Sequence, residues 1–123
     1  MRYMLLMHWP EDDGQSQSQE AIAAAMTAFA SYSATLEAAG VLVAAEVLRS
    51  SESSTTVSAA DGVLQIQDGP FADTKDQLGG VFIIEAADLD AALDWAQQAP
   101  AVHWGPIEIR PVATHTVDGV WVE

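Results

Sequence analysis

Residues 79–100, GGVFIIEAADLDAALDWAQQAP, contain a strand followed by a helix, and this unit decides the fold. Residues 81–85 form a compact apolar run after a glycine pair, which predicts a strand. Asp88 can cap a helix through Ala99, and Pro100 stops that helix. A further strand at residues 107–112 completes a βαβ unit.

The N-terminal part of the chain repeats this order. Residues 3–8 predict a strand, and residues 9–17 a polar loop. A helix is predicted from Ser18 to Ala39, with Ser16 or Ser18 as its cap and Gly40 in the C′ position. Residues 41–48 predict the second strand. The apolar stripes expected to face the core are Ile22, Met26, Phe29, Ser33 and Leu36 in the first helix, and Leu89, Ala92, Leu93 and Ala96 in the second.

A hairpin is predicted between the two halves. Residues 55–60 and 63–67 are strand-like, and Asp61-Gly62 between them is a strong two-residue turn signal. Residues 50–54 and 72–80 read as loops. Residues 113–123 are either a tail or an extra strand.

The resulting order is β-α-β, hairpin, β-α-β, within one domain spanning residues 1–123. Two βαβ halves in this length predict an α+β fold of the ferredoxin-like, split-βαβ kind. In this fold an antiparallel sheet carries both helices on one face.

Charge and composition exclude several classes of partner. The formal net charge is −14, with only four cationic side chains, so we expect no binding to nucleic acid or to anionic lipid. The absence of cysteine excludes disulfides and thiolate chemistry. No apolar run approaches the ~18 residues of a membrane span, and we expect a cytoplasmic protein.

Two strands lack the alternation expected of a sheet covered on one face. Residues 3–7 and 81–84 are continuously apolar, which indicates burial on both faces. The helices cover only one face. We expect a homodimer in which a second copy's sheet covers the other. The alternative is that the C-terminal tail, with Val117, Val120, Trp121 and Val122, folds over it.

Five stretches of the chain resemble one family in the right order, from residue 1 to about 112. They are residues 2–7 (RYMLLM), 40–42 (GVL), 68–80 (DGPFADTKDQLGG), 87–93 (ADLDAAL) and 107–112 (IEIRPV). They resemble the DGPF group of YCII-related proteins. This resemblance implies a dimeric α+β barrel.

The resemblance also bears on function. The wider family includes enzymes that dehalogenate chlorinated ring compounds, and some members carry a His–Asp pair proposed as an active site. Alignment on Gly40 places Phe29 and Ala38 near those two positions, so the pair does not carry over to this chain. DGPF proteins are often encoded beside alternative sigma factors, which suggests a regulatory setting.

The few cations are the first candidates for binding a ligand. Arg110 shares a strand face with Glu108, two residues away, and either anchors a carboxylate or enolate or forms a structural ion pair. Arg49 is a second candidate anchor for an anion. Lys75, between Asp73 and Asp76, either binds an anion or lies in a solvated loop with local pairing.

His8, at the end of the first strand, is the best general-base candidate, and Asp73 is another. Phe71 is expected to be a core anchor and a ligand contact. Asp68-Gly69-Pro70 is read first as a turn. His8, His103 and His115 are not spaced as metal ligands, and no cofactor motif is present.

Two functions follow from these residues. One is a dimer that binds a small cyclic or carboxylic acid in a cleft between the sheet and the 68–80 loop, with proton-transfer or elimination chemistry. His8 or Asp73 would be the base, and Arg49 or Arg110 would hold the anion. The other is a non-catalytic sensor or regulatory partner protein, linked to an alternative sigma factor.

Overall fold

The protein is described by a computed structural model that covers residues 1–11 and 18–123. Along these residues the elements are β1 (Arg2–Pro10), α1 (Gln19–Ala38), β2 (Leu42–Val47), β3 (Thr55–Ala60), β4 (Val63–Asp68), β5 (Asp76–Glu85), α2 (Leu89–Gln97), β6 (Ile107–Pro111), β7 (His115–Val117) and β8 (Val120–Val122). Short 3₁₀ helices lie at Ser51–Ser53 and Pro100–His103. The predicted loop at residues 9–17 begins after Pro10, and residues 12–17 lie outside the described part.

The main sheet has the strand order β2-β5-β1-β6, and each neighbouring pair is antiparallel. β1 and β2 therefore run parallel to each other with β5 between them, and β1 separates β5 from β6 in the same way. Both βαβ units are split, which confirms the predicted α+β fold of ferredoxin-like order.

The predicted starts of both helices and the end of α1 are confirmed, whereas α2 ends at Gln97, two residues before the predicted Ala99. Ser18 accepts a hydrogen bond from the backbone N–H of Ala21 at 3.1 Å, and Asp88 accepts one from Ala91 at 2.9 Å. Gly40 follows α1 with φ +73°, a conformation that glycine adopts without strain. Ser16, the other candidate cap, lies outside the described residues.

The core lies on one face of the main sheet. Its strand residues are Tyr3, Leu5, Met7, Phe82 and Ile84, each at most 2% exposed. The helices contribute Tyr32, Leu36, Ala92 and Ala96 to the same cluster. Both helices therefore cover the same face, as predicted.

The predicted helix stripes are wrong at several positions. Ile22 and Met26 are 45% and 67% exposed, so the burial of α1 is concentrated in its C-terminal half. Leu89 and Leu93 on α2 are 53% and 42% exposed, and the smaller Ala92 and Ala96 are buried instead. Helical periodicity predicts which face of a helix is apolar, but it does not predict which part of that face is packed against the sheet.

β5 begins at Asp76, although the sequence indicated a loop to residue 80. The misleading signal is the glycine pair, because glycine is rare inside strands. A Cβ on Gly79 would overlap the indole of Trp9, so glycine leaves room for that ring. The register between β1 and β5 shifts at the same place, between Met7 and His8.

The other strands form two separate hairpins. Asp61 and Gly62 join β3 and β4 with φ of 51° and 79°, as a type I′ turn requires. β7 and β8 form a C-terminal hairpin rather than an extra strand of the main sheet. Its Val117, Val120 and Trp121 are 51%, 63% and 70% exposed, which argues against the tail covering the sheet of its own protomer.

The face of the main sheet opposite the helices carries Met4 and Leu6 on β1 and Val81 and Ile83 on β5. We call this the open sheet face. Its apolar side chains are only partly buried. None of the helices that the structure describes is long and apolar enough to cross a membrane.

Candidate functional site

A groove of about 730 Å³ lies where the ends of β1, β2 and β5 meet the base of the β3–β4 hairpin. This volume falls within the ~300–1,000 Å³ typical of small-molecule sites. Its lining residues are His8, Leu48, Arg49, Ser50, Ser51, Ser53, Ser54, Thr55, Thr56, Pro70, Phe71, Ala72, Thr74, Asp76, Gln77 and Leu78. Three residues that the sequence singled out, His8, Arg49 and Phe71, therefore line one groove.

His8 is held in place through its backbone by the segment at residues 105–106. Its N–H donates to the carbonyl of Pro106 at 2.9 Å. A Cβ on Gly105 would overlap the carbonyl of His8, so the two segments meet closely because residue 105 has no side chain. Main-chain packing thus fixes the position of His8 in the groove wall.

Arg49 follows β2, and its backbone is held in place by a hydrogen bond of the preceding residue, Leu48. The N–H of Leu48 donates to the carbonyl of Gly79 at 2.8 Å, which ties this segment to β5. Arg49 is exposed, and no carboxylate of the described residues lies within ion-pair distance of it. Its guanidinium can therefore offer a bidentate pair of donors to an anion.

A wall rich in hydroxyl groups faces the groove between Ser50 and Thr56. The Glu11 carboxylate accepts hydrogen bonds from the N–H of Ser51, at 2.6 Å, and from its hydroxyl. Thr56 Oγ1 donates to the carbonyl of Gly69 at 2.8 Å. These bonds tie the wall to the end of β1 and to the turn after β4.

The expectation that Phe71 is a core anchor is wrong, because its side chain is 90% exposed. The ring lines the groove with Leu48, Pro70 and Leu78. The turn at Gly69, with φ +101°, carries the chain away from β4 and leaves Phe71 outside the core. An apolar surface beside a cation and hydroxyls suits a carboxylic acid with an apolar body.

Asp73 and Lys75 lie near the groove but do not line it. They flank Thr74, which does, and both are exposed. The amide of Gln77 donates to the carbonyls of Ala72 and Thr74 at 3.0 and 3.1 Å, which holds this loop.

Arg110 lies elsewhere. It pairs across the strands with Met4, so its side chain is on the open sheet face at β6, the edge farthest from β2. Its guanidinium is 3.7 Å from the Glu108 carboxylate, and the two side chains are 65% and 54% exposed. The predicted same-face pair is therefore present, away from the groove.

The sequence missed three contributors to the site. Glu11 and Gln77 brace the groove through contacts distant in sequence, and no local pattern reveals such contacts. The hydroxyl wall did have a signal, since residues 50–56 read SSESSTT. A run this rich in hydroxyls indicates polar recognition as well as a loop.

Two pKa shifts lie outside the groove. The hydrogen bond from Arg2 at 3.0 Å lowers the pKa of Glu85, which lies on the open sheet face. Burial raises the pKa of Tyr32 to about 12. Within residues 1–11 and 18–123, no group of three acidic or histidine side chains is placed to hold a metal ion.

Phe29, which the resemblance aligns with a histidine, is part of an aromatic cluster. Its ring stacks on Phe82 with centroids 6.0 Å apart and meets Trp104 edge-on at 5.4 Å. Trp9 is the other neighbouring ring, at 6.1 Å. This position therefore serves packing and carries no titratable group.

The chain is similar to a protein of Rhizobium meliloti (strain 1021) described only as uncharacterized. The two are 40% identical over 62 residues, which cover 49% of this chain and 50% of that protein, so the match spans about half the length of the relative. A family model, the YCII-related domain, matches residues 1–116. The strand order, the paired split βαβ units and this match agree, and the chain belongs to the YCII-related domain family.

Proposed function

We propose that this YCII-related protein is a homodimer that binds a small organic anion in the groove. The observation that carries the proposal is that Arg49 and His8, from separate elements, line one groove with hydroxyls and with Phe71. The cation would hold a carboxylate, the hydroxyls would complete its hydrogen bonds, and the apolar side would receive a ring.

The chemistry that fits this groove is proton transfer or elimination. His8 is the general base, since it lies in the groove wall and histidine is the side chain that most often acts in this role. Asp73, on the neighbouring loop, is the second candidate base. Arg49 is the anchor inside the groove, whereas Lys75 and Arg110 would bind an anion only outside it.

The open sheet face supports the homodimer. Met4, Leu6, Val81 and Ile83 form an apolar surface that the protomer's helices cannot reach. A second copy's sheet packed face to face would bury it and give the dimeric α+β barrel that the DGPF resemblance implies.

A non-catalytic sensor is the second candidate function. It is favoured by the aromatic packing of Phe29, because the position aligned with a catalytic histidine has no proton to transfer. Ligand binding in the groove would then regulate a partner protein. The link to an alternative sigma factor rests on the resemblance alone.

A thermal-shift screen of aromatic and aliphatic carboxylic acids, beginning with benzoate, tests the binding proposal. A ligand that binds only the folded protein raises its melting temperature by mass action. We expect the shift to be lost in Arg49→Met, which keeps the apolar stem and removes the charge. Arg110→Met is the matched control and should retain it.

The two arginines separate the possible results. If the melting-temperature shift is lost in Arg110→Met and kept in Arg49→Met, the anion binds on the open sheet face and not in the groove. If no acid shifts the melting temperature at concentrations up to about 10 mM, the result counts against the groove as an anion site. A dissociation constant above that value would be higher than ordinary metabolite concentrations.

A further inference from the structure

The β3–β4 hairpin has one apolar face and one polar face. Cross-strand pairs Val57–Ile66 and Ala59–Leu64 lie on the first. Thr56–Gln67 and Ser58–Gln65 lie on the second. The alternation is that of a sheet whose apolar face is buried.

In the protomer this apolar face is uncovered. Val57, Leu64 and Ile66 are 64%, 74% and 75% exposed. The hairpin forms its own two-stranded sheet, and such a hairpin has little stability in water without a surface to pack on. The sequence pattern thus indicates that another surface packs on the apolar face of the hairpin, and the described part of the protomer does not provide that surface.

The surface area of the protomer is large enough to leave room for such a cover. Its accessible surface is 8558 Å². A compact monomer of this mass is expected to expose roughly 6,400 Å². The protomer therefore exposes about 2,200 Å² more than a compact shape would, which exceeds the ~800 Å² that each partner buries in a standard interface.

Charge favours a second copy as the occupant. The chain carries a net charge of −14, yet the fourteen hairpin residues 55–68 include only two charged side chains, Asp61 at the turn and Asp68 at the end of β4. Two equally acidic molecules repel each other least where both present uncharged apolar surface.

We propose that the apolar face of the β3–β4 hairpin, formed by Val57, Ala59, Leu64 and Ile66, docks on a second copy of this chain. The docked copy also closes the open side of the groove, because Thr55, which lies on the apolar face through its pairing with Asp68, is part of the groove wall. The docking rests on the proposed homodimer, and the closure rests also on the proposed anion site.

Thiol accessibility tests the docking directly, since the chain has no cysteine of its own. Leu64→Cys places one thiol on the apolar face. Gln65→Cys places one on the polar face, a single residue away. At protein concentrations that give the dimer, we expect Leu64→Cys to react with a thiol reagent at least about tenfold more slowly than Gln65→Cys, because burial blocks the reagent. Dilution to the monomer should make the two rates equal.

Equal rates at every concentration would overturn the docking, and so would a slow Leu64→Cys rate that does not change on dilution. The groove is tested separately with Leu64→Gln and benzoate. If the docked copy closes the groove, the variant binds benzoate at least about fivefold more weakly than the wild type. Unchanged affinity would overturn the closure and leave the docking standing. Failure of the wild type to bind benzoate would count against the proposed function, with the thiol rates still deciding the docking.

Discussion

Tyr32 shows how one side chain joins the two helices. It is 5% exposed, and its hydroxyl donates to the carbonyl of Trp95 on α2 at 2.8 Å. Burial disfavours the phenolate, which raises the pKa of Tyr32 to about 12. In the unfolded chain a tyrosine ionises near pH 10. The stability that depends on its proton is therefore complete below pH 10 and is lost as the pH rises to about 12.

Tyr32→Phe should reveal this dependence. Near pH 8 the variant should be about 1 kcal/mol less stable, because it lacks the hydrogen bond. Between pH 10 and 12 the wild type should lose up to roughly 2–3 kcal/mol that the variant keeps. Urea unfolding at pH 8 and pH 11.5 measures both differences. A stability difference that stays constant with pH would contradict the buried neutral phenol.

At this scale the sequence predicts what is local. Ser18, Gly40 and Asp88 were identified because a cap acts on residues three or four positions away. Phe71 was misjudged because its type indicates burial, while its place after a turn in the groove wall depends on distant segments. The chemistry of His8 and Arg49 marks them as candidates, whereas their shared groove comes from the order of the strands.

Among the elements, β5 depends on Gly79. The indole of Trp9 occupies the space that a side chain there would need, whereas a Cβ on Gly80 would lie 3.3 Å from the Glu46 carbonyl and 3.4 Å from the same ring. Gly79→Ala should therefore lower the free energy of unfolding by about 1–3 kcal/mol, the usual cost of overpacking.

Gly80→Ala is the control for this prediction and should cost less. Trp9→Phe should relieve much of the Gly79→Ala effect, because the smaller ring leaves room. Denaturant unfolding of the two single variants and the double variant gives the coupling energy. If the effects of the two changes on the free energy of unfolding simply add, the contact of Trp9 with residue 79 is not the cause of the Gly79→Ala destabilisation.

Element boundaries followed the same rule as single residues. The β3–β4 hairpin was found at the right positions because Asp61-Gly62 encodes its turn. β5 was placed five residues too late because a glycine pair inside a strand has the local signature of a loop. Its true start depends on pairing with β1, which is a contact between distant parts of the chain.

For the whole molecule, the main prediction is the dimer. Light scattering at micromolar concentration should give twice the chain mass of 13.1 kDa. Added salt should strengthen association, because it screens repulsion between two chains of net charge −14. Ile83→Glu on the open sheet face should give a folded monomer, since a charge there would be buried without a partner.

Ala24→Glu, on an exposed position of α1, is the control and should leave the dimer intact. A wild-type monomer at these concentrations would refute the face-to-face packing of the two sheets. At this scale the sequence predicted the fold class well, because order and periodicity are encoded along the chain. It indicated a cleft between the sheet and the 68–80 loop, but not that residues 48–56 form part of its wall, because that contact joins distant segments.

The contact between Trp9 and Gly79 has an optical consequence. Trp9 follows His8 in β1, and its indole lies against Gly79, which follows Leu78 in β5. His8 and Leu78 both line the groove. Indole emission shifts with the polarity and rigidity of its surroundings. The chain has four tryptophans, so replacing Trp95, Trp104 and Trp121 with phenylalanine would leave Trp9 as the sole emitter. The protein thus carries a built-in fluorophore behind its groove, which can follow occupancy without any attached label.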